Sequence, residues 1–177
     1  MKNILVITGS PRKKGNGALL AQSFIEGAET NGHNVMLFNA GSSKINPCRA
    51  CDKCLSNNNT CVFRDDFDKL KPMMENADMI VFVTPLYWYS MSAQLRLAVD
   101  KMYSLDFSNK TIEAALIVCG WTDDMEDFEG VTKSHENMTK YLGWKNHAML
   151  VVPGVNAPGD VVNTDGLTRA KELGLSI

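Results

Sequence analysis

Four of the five cysteines fall within fourteen positions, as Cys48, Cys51, Cys54 and Cys61, in the pattern C-x2-C-x2-C-x6-C behind Pro47. Three thiolates at x2 spacing in one short loop are suited to three corners of an iron–sulfur cube, with the fourth returning six residues later. Zinc is the competing metal, although its sites usually pair two short cysteine arms across a longer spacer. Metal-free thiols, reduced or disulfide-forming, are the third reading. The fifth cysteine, Cys119, stands alone after an apolar run and reads as a small buried hydrophobe.

A second chemistry-bearing stretch lies near the N-terminus. Thr8 to Gly17 crowds glycine, hydroxyl, proline, amide and cationic residues between an apolar run, Ile4 to Ile7, and a helical pattern opening at Ala18. Glycines let backbone N–H groups approach an anion, the helix start supplies free donors and partial positive charge, and Ser10, Arg12 and Asn16 add side-chain donors. The nucleotide P-loop pattern cannot be fitted, because Gly9 and Gly15 are one residue too far apart and no Lys-Ser/Thr pair follows. Gly15-Asn-Gly17 begins a dinucleotide fingerprint, but Leu20 stands at its third position and strand two ends in Phe38-Asn39 without an acid. A phosphate monoester remains, and FMN is the commonest such cofactor on a chain of this kind.

Other candidates are weaker. His33, His135 and His147 are scattered and read as structural, and no Ser/His/Asp set or two-histidine zinc helix is present. The acidic run Asp123 to Glu129 reads as a solvated face rather than a divalent metal site. Tyr87, Trp88 and Tyr89, with Trp121, could wall a flat ring pocket or serve a subunit interface.

The elements that must position these groups follow from periodicity. Buried apolar runs at 4–7, 35–38, 79–83, 114–119 and 148–152 read as strands, since they lack polar alternation. Helical stripes follow each: Leu20, Phe24 and Ala28; Phe67, Leu70, Met73 and Met74 behind Asp65-Asp66, with Pro72 inside; Leu95, Val99 and Met102; Val131, Met138 and Leu142; Leu167, Ala170 and Leu173 behind a Thr164 cap. Five βα units in one chain of 177 residues predict a three-layer α/β/α fold. Its five parallel strands take the flavodoxin-like order 2-1-3-4-5, a single FMN-binding domain over 1–177 with the cysteine loop 47–61 inserted after strand two. Strands one and three are then neighbours at the switch point, where ligands bind beyond the C-terminal strand ends. That order converges Thr8 to Gly17, Pro85 to Met91 and Gly120-Trp121, and puts the cysteine loop at the same end.

A net charge of −2 gives no case for nucleic acid or an anionic membrane. The chain enters its first strand directly and has no apolar run of spanning length, so a cytoplasmic protein without a signal peptide is expected.

Thr8-Gly-Ser-Pro-Arg12, Asn16, the cysteine run leading to Asp65-Asp66, Ala77-Asp-Met-Ile-Val81, Pro85-Leu-Tyr-Trp88 and Val99-Asp-Lys-Met102 together resemble the NADPH-dependent FMN reductase group of the flavodoxin fold, especially its iron–sulfur flavoproteins. The resemblance covers nearly the whole chain. It implies non-covalent FMN with Ser10, Arg12, Asn16, Gly17 and Ala18 around its phosphate, and Pro85, Leu86, Tyr87, Trp88, Gly120 and Trp121 around its ring. It implies a dimer or tetramer with the flavin at a subunit interface. It also implies a [4Fe-4S] cluster on the four clustered cysteines and an oxidoreductase passing electrons from NAD(P)H or ferredoxin to a small-molecule or protein acceptor. No side chain is expected to be catalytic, since the flavin carries the chemistry. Where the group usually has Ser or Thr after the loop asparagine, this chain has Gly17. An electron carrier without its own substrate and a thiol or zinc redox sensor are the alternative functions.

Overall fold

The computed structural model describes residues 1–107 and 110–177. Five strands, β1 (Asn3–Thr8), β2 (Asn34–Asn39), β3 (Met79–Pro85), β4 (Glu113–Cys119) and β5 (Lys145–Val152), pair in parallel in the order β2-β1-β3-β4-β5. The helices between and after them are α1 (Asn16–Thr30), α2 (Phe67–Asn76), α3 (Ala93–Lys101), α4 (Glu129–Tyr141) and α5 (Gly166–Leu175).

The strand runs read as continuously apolar because both sheet faces are covered. In β1, Leu5 and Ile7 point into the core shared with α2, α3 and α4, whereas Ile4 and Val6 point into the core under α1 and α5. β3 repeats this, with Ile80 and Phe82 on the first face and Val81 and Val83 on the second.

Three local differences from the sequence pattern matter. Helix α1 begins at Asn16, two residues before Ala18 where the sequence pattern opens, so Asn16 and Gly17 occupy its first turn. Helix α2 begins at Phe67, after Asp65-Asp66, which frees both carboxylates for other partners. In α5 the N-cap position is Asp165, but the capping oxygen is the Thr164 hydroxyl, which accepts from the Gly166 amide at 3.0 Å. Among the described residues no helix is long and apolar enough to cross a membrane.

Candidate functional site

Beyond the C-terminal ends of β1, β3 and β4 the structure holds a cavity of about 560 Å³, a size typical of small-molecule sites. Its first wall is the loop after β1. The Gly9 amide donates to the Val83 carbonyl at 2.8 Å, and the Gly9 carbonyl accepts from the Ser92 hydroxyl at 2.7 Å. A side chain at position 9 would collide, since its Cβ would lie 2.4 Å from Ser92 Oγ. Ser92 in turn donates its amide to the Thr84 hydroxyl at 2.9 Å, which donates to the Pro85 carbonyl at 2.9 Å. Ser92 and Thr84 are fully buried, so a chain of neutral hydrogen bonds fixes this loop to the end of β3 and the cap of α3.

Beyond Gly9 the loop turns its donors outward. Ser10 Oγ accepts from the Arg12 amide at 3.3 Å, which leaves the hydroxyl proton free to donate. Arg12 is exposed and has no acidic partner among the described residues. Gly15 is an extended N-cap without a side-chain bond, and the first turn of α1 contains no acid, so its positive dipole end is not neutralised. Within that turn the Ala18 and Leu19 amides return to the Gly15 carbonyl at 2.9 and 3.1 Å, whereas those of Asn16 and Gly17 have no partner among the described residues. Ser10, Arg12, Asn16 and Gly17 line the cavity; Ala18 does not.

The Asn16 side chain, expected as an anion donor, is bonded to the loop after β5. Its Nδ2 donates to the Ala157 carbonyl at 3.0 Å, and its Oδ1 accepts from the Gly159 and Val161 amides at 3.0 and 3.2 Å. The side chain therefore clamps the loop after β5 to α1, and this brings Val155, Asn156 and Pro158 into the cavity wall. Residues 153–160 were not among the candidates read from the sequence. Applying the strand-end rule to β5 as well as β1, β3 and β4 was the available signal.

The opposite wall is aromatic. Pro85, Leu86, Tyr87, Trp88, Gly120 and Trp121 all line it, joined by Tyr89, also a candidate aromatic, and by Asp127, which the sequence reading placed in a solvated acidic run. Tyr87 and Ser90 exchange backbone bonds at 2.9 and 3.0 Å, closing a two-residue turn with Trp88 and Tyr89 both left-handed, at φ 48° and 61°. Bulky residues pay roughly 1–2 kcal/mol each for that conformation, and such strain tends to be retained at functional sites. Its result is a projecting tip: Trp88 is 94% exposed and Trp121 73%. Gly120 permits close approach, since a Cβ there would lie 3.0 Å from Leu86 Cβ and 3.1 Å from the Phe128 ring. Cys119 closes the floor of the cavity with a buried thiol that burial pushes up to about 12, consistent with a packing role.

The pattern of donors at one end and aromatic surface at the other matches a flat aromatic ring carrying a phosphate monoester. FMN fits it on three observations: the unpartnered α1 amides, the free Arg12 guanidinium and the aromatic wall across the cavity.

The four clustered cysteines lie elsewhere. Their loop leaves the C-terminal end of β2, but its thiols face the far end of α3, around a small cleft of about 30 Å³ shared with Lys101, Tyr103 and Ser104. Cys48 and Cys51 are exposed, Cys54 and Cys61 half-buried, and all four are free thiols. Among the described residues no three His, Cys, Asp or Glu side chains are grouped as a metal ion requires. The donor set itself, four thiols on one cleft, has the soft chemistry of iron–sulfur or zinc sites.

The loop is closed at its neck. Asp65 accepts from the Asn46 amide at 2.8 Å and the Phe67 amide at 2.9 Å, and pairs with Lys101, the two side chains being 4% and 3% exposed. Lys101 also reaches the Phe63 carbonyl at 3.5 Å. Asp66 accepts from the Lys44 amide at 2.8 Å and from Lys69 at 2.7 Å. Burial pushes the Asp65 carboxyl up, but Lys101 and the Asn46 and Phe67 amides together hold it below the usual carboxylate range.

The histidines stand apart from both sites. His33 Nδ1 accepts from the Lys2 amide at 3.0 Å, and His147 Nδ1 lies 3.1 Å from Glu113. His135 is buried edge-on against Phe82, with burial lowering its pKa to about 4.

Comparisons with known proteins accord with this geometry. The family model described as NADPH-dependent FMN reductase matches residues 2–157. An iron-sulfur flavoprotein of Archaeoglobus fulgidus is 31% identical, over 97% of this chain and 76% of that protein. An iron-sulfur flavoprotein of Methanocaldococcus jannaschii is 27% identical over 98% of this chain and 94% of that one. Among solved structures, the NAD(P)H:quinone oxidoreductase from Methanothermobacter marburgensis superposes with a TM-score of 0.77 at 19% identity, over 99% of this chain and 96% of that one. An azoreductase from Bacillus anthracis superposes with the same score at 16% identity over the whole of both chains. At such identities the structural likeness shows the fold.

Proposed function

The chain belongs to the NADPH-dependent FMN reductase family, a family of FMN-dependent oxidoreductases, and from that premise we propose that residues 1–177 form one FMN-binding domain. In this reading it passes electrons from NAD(P)H or reduced ferredoxin to a small-molecule or protein acceptor. The observation that carries the reading is the cavity's polarity: two unpartnered helix amides and a free guanidinium at one end, an aromatic wall at the other. Ser10, Arg12 and the Asn16 and Gly17 amides hold the phosphate, where charge-assisted bonds are strongest. Ala18 lies outside the cavity wall and contributes through the helix dipole. Pro85, Leu86, Tyr87, Trp88, Gly120 and Trp121 surround the ring. Bound FMN supplies the hydride and electron chemistry; the protein orients it and limits water at the ring. NAD(P)H stacks transiently at the open mouth.

Cys48, Cys51, Cys54 and Cys61 hold a [4Fe-4S] cluster in this reading. Its support is the x2, x2, x6 spacing, the shared cleft and the names of the two relatives. Closing four thiols onto one cluster requires the loop tip to draw inward. The exposed turn Tyr87 to Tyr89 at the cavity mouth supports assembly as a homodimer or homotetramer, with these aromatics buried between subunits.

The test is anaerobic reconstitution with FMN, iron and sulfide, followed by NADPH oxidation with a quinone or FMN as acceptor. One FMN per chain with steady NADPH consumption is expected, and about four irons per chain for a single cubane. A protein that takes no FMN overturns the reading. FMN turnover with one zinc per chain, or with iron unchanged in Cys54→Ala, retains the oxidoreductase and removes the cluster.

A further inference from the structure

Arg12 and Asp127 are the two charged side chains among the residues lining the cavity, and they come from different strand ends: Arg12 follows β1 and Asp127 follows β4, with β3 between them. Arg12 stands beside the helix amides. Asp127 stands on the aromatic side, and its position there is built. The Asp124 carboxylate accepts from the Glu126 amide at 2.9 Å, starting the short turn Met125–Phe128, and Phe128 is buried against Gly120 and anchors its end. Asp127, next to Phe128, is thereby turned to the cavity wall. Asp127 is half-buried and has no hydrogen-bond or ion-pair partner among the described residues. No lysine or arginine occurs between Lys110 and Lys133, a stretch that also carries Asp123, Asp124, Glu126 and Glu129. A ligand with its phosphate at Arg12 and its ring against Tyr87, Trp88 and Trp121 lies on the wall that this carboxylate shares.

We propose that Asp127 is a specificity-determining residue that sets the charge class of the acceptor, favouring uncharged or cationic aromatic acceptors such as quinones over organic anions. The inference rests on the FMN reading above. An acceptor stacked on the ring beside Trp88 and Trp121 comes close to Asp127, and cavity walls weaken the screening that water gives an exposed charge. An anionic substituent there meets the repulsion of a carboxylate that no ion-pair partner neutralises among the described residues. The nicotinamide ring does not, because it is uncharged before giving up hydride and cationic afterwards. The overall reaction balances as NADPH plus quinone plus a proton giving NADP⁺ plus hydroquinone.

The test uses FMN-loaded wild type, Asp127→Asn and the control Glu129→Gln, whose residue lies outside the cavity wall. Naphthoquinone and naphthoquinone sulfonate serve as paired acceptors for kcat/KM. Naphthol and naphthalene sulfonate serve as paired non-reacting ligands, titrated by calorimetry into the oxidised protein. The expected result is wild-type preference for the neutral member of each pair. Asp127→Asn should shift both ratios towards the sulfonate by about 5- to 20-fold at low salt, and Glu129→Gln by less than about twofold. Ratios for Asp127→Asn that stay with the wild type while FMN binding and turnover are intact overturn the role of Asp127 alone. A wild type that binds no FMN overturns the functional reading and this inference with it.

Discussion

The loop after β1 and the loop after β2 both leave strands at their C-terminal ends, yet they are held by different chemistry. The first is fixed along its length by neutral groups: the Gly9 amide and carbonyl, the Ser92 and Thr84 hydroxyls, and the Asn16 amide. The second is fixed at its neck by carboxylates, Asp65 and Asp66. Inside that neck the backbone bonds are short turns, from Leu55 to Asp52, Asn57 to Cys54 and Thr60 to Asn57. Ala50, Asp52, Asn58 and Asn59 are left-handed, as a loop doubling back on itself requires. One loop is fixed along its length by its own hydrogen bonds; the other is fixed at its neck, and its four thiols are not grouped as a metal ion requires among the described residues.

The largest effect that separates the two should come from Lys101→Met. It strands the Asp65 carboxylate in a buried site, which typically costs about 3–5 kcal/mol. Urea unfolding should show that loss, with faster alkylation of Cys54 and Cys61, while FMN affinity changes by less than about threefold. Equal damage to FMN binding would mean that the loops do not stand independently. Acid should reach the same neck more gradually. Asp65 and Asp66 are held below the usual carboxylate range, so their contribution is complete above that range and is lost as pH falls through their lowered values. The buried His135 adds a global loss between pH 6.5 and about 4, because its neutral form is the one the core accommodates. The discriminating measurement is therefore a ratio, Asn46 amide protection to Gly9 amide protection by hydrogen exchange. It should fall below about pH 4, and a constant ratio would refute the distinction.

Arg12→Ala probes the other loop. FMN affinity should drop by about 1.5–3 kcal/mol for a charge-assisted bond, with the urea midpoint of the apoprotein unmoved. The smallest effect expected is a gain. Gly17 has ordinary φ, and a Cβ there would meet only Val83 Cγ1 at 3.7 Å. Gly17→Ser should thus be accommodated, and its hydroxyl should tighten FMN by about 0.5–1.5 kcal/mol. Weaker binding would show that the phosphate does not approach this turn.

The sheet order was legible because each strand is an unbroken apolar run, such as Leu5 to Ile7 or Val81 to Val83, and parallel sheets leave few alternatives. The two walls of the cavity were legible because loops after β1, β3 and β4 must converge. Three features were not. Asn16 holds Gly159 and Val161, Asp65 holds Asn46 and Lys101, and Asp127 lines the same cavity as Arg12. Each depends on where a distant segment passes, which local pattern does not encode. Asp65-Asp66 had the composition of a helix start and became a loop closure. Asn16 looked like an anion donor, and its side chain is a clamp.

Helix α3 ends in both structures at once: its cap, Ser92, holds the Gly9 carbonyl, and its last residue, Lys101, holds the Asp65 carboxylate. Nine steps of helix separate them, about 13 Å at 1.5 Å each. That makes the helix a fixed spacer whose length is under constraint. Inserting one residue within it would advance Lys101 by about 1.5 Å and swing it by about 100°, detaching one loop while the other stayed seated. Among homologues, insertions and deletions should therefore gather at the tip of the cysteine loop, around Ser56 to Asn59, and spare Ala93 to Lys101, because only the former changes length without changing the distance between the two sites.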